Sequence, residues 1–141
     1  MPREEINDAG RLQIHTAIQE ILRPCGFTEI TEGSYSNCGW FFQAESDEFI
    51  VTAEQVRSGD VFTILVGSKK GGEPYADERF PWSLSHLRGY IDGLDGQYEF
   101  KSAVQQLDWF GKHVNELLDS TVLNSEELNS WATEQARKMF G

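Results

Sequence analysis

Cysteine, basic residues and long apolar runs are all scarce in this 141-residue chain. Its two cysteines, Cys25 and Cys38, are too few and too far apart for a metal-binding knuckle or a CxxC redox motif. In a reducing compartment both are expected as free thiols. No apolar run is long enough to span a bilayer, and the start "MPREEINDAGRLQIH" lacks the basic and apolar segments of a signal peptide. The expected setting is therefore the cytoplasm. Only 12 lysines and arginines face 23 acids, a formal net charge of −11. Cut at residue 70, the chain has six bases and eleven acids before the cut, and six and twelve after it. The acidity is spread along the chain, so it is a surface property and not a tail. Such a surface repels nucleic acid and anionic membranes and favours basic partners.

Familiar catalytic signatures are also missing. There is no GxSxG nucleophile elbow. The glycines of "GSKKGGEP" follow the lysines instead of leading to a Gly-Lys-Ser or Gly-Lys-Thr step, so they form no phosphate loop. "DGLDGQYE" misses the ligand spacing of a calcium-binding EF-hand. His15 and His113 have no second metal ligand at a useful spacing. No cofactor is implied.

What is present reads as one domain, residues 1–141, of the α+β class. Residues 4–22 are predicted helical, with an apolar stripe through Leu12, Ile14, Ala17, Ile18, Ile21 and Leu22 that ends at Pro24 and Gly26. Three strand-like runs follow, at 34–45, 48–56 and 60–68, joined by links short enough for hairpins, with Gly59 suited to a turn. They predict a three- to four-stranded antiparallel meander. Trp40, Phe41 and Phe42 are read as core aromatics that supply both faces of the sheet, with one ring of the three expected to be exposed. Residues 69–80, "KKGGEPYADERF", read as a loop.

Beyond that loop lies "ERFPWSLSHLRGYIDGLDG". Leu84, Leu87, Ile91 and Leu94 keep helical spacing, Ser83 can cap the helix, and Trp82 can anchor it to the sheet. Gly89 and Gly93 each weaken such a helix by up to about 1 kcal/mol. His86 and Tyr90 point away from the leucine stripe, with Arg88 beside it. After Gly96 a second stripe runs through Phe100, Val104, Leu107, Phe110, Val114, Leu117 and Leu118. A last helix is expected to start with Asn124 as its cap and Glu127 completing a capping box, with Leu128, Trp131, Gln135 and Met139 facing inward. These helices are expected to cover one face of the sheet.

The candidate site comes from aromatic residues set among acids: Tyr75, Asp77, Glu78, Trp82, His86, Arg88, Tyr90, Asp92 and Asp95. Tyrosine, tryptophan and arginine dominate binding hot spots, so this set is read as a partner-binding surface. A small enzyme site around Arg79, His86, Arg88 and Asp92 is the catalytic alternative. It would need a nucleophile or carboxylate in reach of the histidine.

The layout, carried by "ILRPCGFTEI", "GWFFQAE", "DVFTILVG" and the amphipathic C-terminal segments, resembles small acidic bacterial immunity proteins of polymorphic and contact-dependent toxin systems. The resemblance implies a non-catalytic cytoplasmic protein that binds and neutralises a cognate toxin domain, often a basic nuclease. A second resemblance, to type III secretion chaperones, implies a homodimer holding an effector segment. That family usually adds two more strands after its central helix, where this chain reads helical. The sequence leaves the oligomeric state open.

Overall fold

A computed structural model describes residues 6–27, 29–36, 38–57, 61–70, 73–74 and 81–140. Its order is α1 (Asp8–Leu22), a single 3-10 turn (Arg23–Cys25), β1 (Glu29–Ser34), β2 (Cys38–Glu45), β3 (Phe49–Arg57), β4 (Thr63–Lys70), β5 (Glu73–Pro74), β6 (Trp82–Ser83), α2 (Leu84–Ile91), α3 (Ala103–Leu117), α4 (Ser120–Leu123) and α5 (Glu126–Phe140). The architecture is α+β, with one helix, an antiparallel sheet, then helices on one face. β1, β2, β3 and β4 form the expected meander, and two-residue strands β5 and β6 both pair with β4. Among the described residues no helix is long and apolar enough to cross a membrane.

Register explains which face is covered. The cross-strand rows Phe42–Ala53–Ile64 and Ala44–Val51–Val66 are buried and join one cluster. Ile14, Ile18 and Leu22 of α1, Leu84 and Leu87 of α2, and Phe110, Val114 and Leu117 of α3 belong to the same cluster. Phe41 and Leu65, from the opposite face, lie outside it. Phe41 is therefore the ring of the three that the core does not take. The two cysteines form no disulfide.

Several boundaries differ from the sequence expectation. The run predicted from residue 34 contains the β1–β2 turn, and β2 starts at Cys38, which sits at φ 65°. β4 extends to Lys70 because β5 pairs with Lys69 and Lys70, so the expected loop loses its first two residues. Gly59 and residues 75–80 lie outside the described set, as do residues 4 and 5 of the predicted first helix.

The stripe after Gly96 was phased from Phe100, but the helix begins only at Ala103, capped by the Ser102 side chain. Phe110, Val114 and Leu117 are buried as the stripe requires, but the first turn, led by the Ser102 cap, turns Ala103 and not Val104 to the core. Val104 is accordingly 75% exposed, while Ala103, Gln106 and Trp109 take the buried face. In α5 the capping hydroxyl is Ser125, which accepts from Leu128 N–H at 3.1 Å; the Asn124 side chain instead accepts from Ser68 Oγ at 3.1 Å. Leu128 and Gln135 face inward as expected, but Met139, in the last turn, is 64% exposed.

One polar side chain closes an edge of the sheet. Gln106 is 3% exposed; its Nε2 donates to Phe62 O at 2.9 Å and its Oε1 accepts from Ile64 N–H at 2.7 Å. The amide thus stands in for a strand where β6 stops, since β6 pairs only with Leu65 and Val66.

Candidate functional site: the aromatic cluster of α2 and α5

Trp82 and Ser83 pair with Val66 and Leu65, which delivers α2 to the rim of the sheet. Trp82 Nε1–H also donates to Leu123 O at 2.8 Å, so the expected anchoring holds through both backbone and indole. Ser83 Oγ accepts from His86 N–H at 3.3 Å and lies 2.7 Å from His86 Nδ1. A hydroxyl has one proton to give. Its oxygen also has two lone pairs, so the hydroxyl donates to Nδ1 when the ring proton sits on Nε2 and accepts from Nδ1–H in the other tautomer. Burial pushes the His86 pKa below the usual histidine value, and the nearby Glu99 charge partly opposes this.

The side of α2 away from its leucines is not left to water. His86, half-buried, meets Tyr98 at 5.4 Å and Trp131 at 6.3 Å between ring centroids. Trp131 in turn contacts Tyr98 at 5.4 Å and Tyr90 at 6.1 Å. Such tilted and edge-on pairs each add about 0.5–1.5 kcal/mol beyond area burial. Gly89 makes this approach possible. A Cβ there would lie 2.6 Å from Trp131 Cη2 and 2.9 Å from Tyr98 Cγ. Gly93 has a different task. At φ 67° it follows the helix end, and Leu94 N–H closes back onto Gly89 O at 2.8 Å, the pattern of a left-handed helix stop. Leu94 therefore lies past the helix, although its spacing fits the stripe.

Two of the acids expected to meet a partner, the exposed Asp92 and Asp95, also bond within the fold. Asp92 accepts from Trp109 Nε1–H at 3.1 Å and sits 4.0 Å from Arg88 Nε. The Arg88 guanidinium lies over the Phe100 ring, 4.7 Å from its centroid. Asp95 accepts from Gln135 Nε2 at 3.1 Å and pairs with Lys138 at 3.1 Å. These bonds hold its carboxyl below the usual range. Gln135 Oε1 also accepts from Gly96 N–H at 3.0 Å, which ties the turn after α2 to α5.

Of the nine residues named from sequence, the structure groups Trp82, His86, Arg88, Tyr90, Asp92 and Asp95 along α2 and its exit. Tyr75, Asp77 and Glu78 lie outside the described residues. The sequence reading missed Trp131, Glu99 and Glu127 beside these residues; Tyr98, one of the aromatics it noted in this region, is buried against Trp131. Trp131 had been assigned to the inward face of α5 by its spacing, and that spacing was also the signal for its place here.

Beside the cluster runs an open groove of about 890 Å³, lined among others by His86, Arg88, Tyr98, Glu99, Gln105 and Met139. Half-exposed rings of Tyr90 and Trp131 stand next to exposed Glu99 and Glu127, and Tyr90 Oη–H donates to Glu127 Oε2 at 3.0 Å. Among the described residues no group of three or more His, Cys, Asp or Glu side chains could hold a metal ion. No family model, curated protein or solved structure matches the chain.

Proposed function

We propose that this chain is a non-catalytic protein-binding module that neutralises a basic protein domain, as the small cytoplasmic immunity proteins of bacterial toxin systems do. The observation that carries this reading is the α2–α5 face: partly exposed tyrosine and tryptophan rings, locked by their neighbours, with Glu99 and Glu127 at the margin. Rings already fixed in place lose little freedom on binding. A net charge of −11 would speed encounter with a basic partner. The Ser83 hydroxyl beside His86 is also the cap of α2, and Asp92 and Asp95 are bonded to α3 and α5, which supports a positioning role for all three. α3, α4 and α5 occupy 103–140, where a secretion chaperone would continue its sheet, which supports the immunity-type reading over a chaperone.

The test is affinity capture from the native host with mass spectrometry, followed by titration calorimetry on the purified partner. A 1:1 complex with a basic domain is expected, with the partner's activity inhibited. The double variant Glu99→Lys/Glu127→Lys should weaken it at least tenfold at low salt. Equal affinity of that variant, or no partner at any stoichiometry, would overturn the proposal.

A further inference from the structure

The two long edges of the sheet are finished differently. Along β4 the outer backbone is occupied almost end to end, by Gln106 at Phe62 and Ile64, by β6 at Leu65 and Val66, and by β5 at Lys69 and Lys70. β1, at the other edge, pairs on one side only, with β2; among the described residues nothing pairs with its outer side. Tyr35 N–H donates to Gly39 O at 2.9 Å, and the β1–β2 register continues that ladder through Gly33↔Phe41, Thr31↔Gln43 and Glu29↔Glu45. Antiparallel pairs alternate in the direction of their backbone groups. The N–H and C=O groups of Ile30, Glu32 and Ser34 therefore point away from β2, without a strand partner among the described residues.

Charge says what kind of strand fits. From Cys25 to Val56 the chain has 32 residues with six acids and no lysine, arginine, histidine or proline. Natural edges are commonly blunted by lysine or proline, and this one has neither. Among the described residues no cation pairs with the exposed Glu32. A second copy of this chain would add acids to acids along the same edge.

We propose that the outer edge of β1 receives an extended, lysine- or arginine-bearing segment of another protein, added as a fifth long strand. Main-chain bonds at Ile30, Glu32 and Ser34 would supply affinity, and the exposed Glu32 would select basic side chains. This surface is distinct from the α2–α5 face, and the inference does not rest on that face binding anything.

The test is an NMR titration of ¹⁵N-labelled protein at low salt with an acetylated eight-residue peptide of alternating lysine and valine. Two controls replace lysine by glutamate, or N-methylate the two central residues so that neither side of the peptide can pair there. Expected are downfield shifts of the Ile30, Glu32 and Ser34 amide protons, larger than those of Thr31 and Gly33, and at least tenfold weaker binding of both controls. Glu32→Lys should lower affinity for the lysine peptide about tenfold. Ser34→Pro, which removes one outward N–H at a position where an edge strand tolerates proline, should do the same with the melting temperature unchanged. The proposal falls if the N-methylated peptide binds equally well, if the shifts map away from β1, or if β1 shifts with protein concentration alone, which would make the occupant a second copy.

Discussion

Replacing Gly89 with alanine sets two effects against each other, and the structure decides between them. In an exposed helix the change would stabilise by about 0.8–1 kcal/mol, because alanine loses less backbone freedom than glycine. At Gly89 the new methyl carbon would stand 2.6 and 2.8 Å from two Trp131 ring atoms and 2.9 Å from Tyr98 Cγ, distances that packed carbons do not adopt. Trp131 cannot simply swing aside, since it is held between Tyr90, Tyr98 and His86. Forcing a methyl into such a site costs about 1–3 kcal/mol, so the expected net result is a loss of about 1 kcal/mol. For a chain of this size that lowers the melting temperature by about 3–5 °C, readable by calorimetry or far-ultraviolet circular dichroism. The same substitution made on a Trp131→Leu background should change sign, since the clash is gone and only the helix preference remains. The double-mutant cycle would then show a coupling of about 1–3 kcal/mol. A Gly89→Ala protein more stable than the parent, or a cycle with no coupling, would refute the packing argument.

Two further outcomes follow from buried polar contacts. Gln106→Ala should cost about 2–4 kcal/mol in urea unfolding, since the Phe62 carbonyl and Ile64 amide would each lose a buried partner; Gln106→Glu should be milder at pH 4, where its acid can still donate, than at pH 7. Because burial keeps folded His86 neutral, the unfolded chain takes the proton first as pH falls below about 6.5. The stability from this group is therefore present above that value and declines until folded His86 itself protonates. His86→Phe should flatten that decline in urea midpoints between pH 7 and 5, and parallel profiles for the two proteins would contradict it.

The elements were legible because local chemistry dictates them. Alternation marked the meander, leucine spacing marked α2, and the Ser83 cap could be read from its place after Trp82. Errors arose at the ends of helices. The stripe after Gly96 fails at Val104, in the first turn of α3, while Phe100, Phe110, Val114 and Leu117 are buried as it requires. Gly93 looked like a weak point within a helix and is instead the residue that ends it.

Other features had no local signal. Gln106 finds its partners 44 and 42 residues earlier in the chain, and Asp95 meets Gln135 and Lys138 some 40 residues later. The periodicity of one segment says which of its sides is apolar, but not which other segment will cover its polar side. Asp92 and Asp95 read as surface acids and are exposed, but nothing local showed that they also fasten α2 to its neighbours, while Trp131 and Tyr98 came to His86 from separate parts of the sequence. The sequence by itself determined the acidic charge, the α+β layout and the faces of most helices, since these depend on composition and on spacing within one element. Only the tertiary structure decided which acids remain exposed, why Gly89 must be glycine, and that β1 keeps an open edge, since each depends on which distant segments come together.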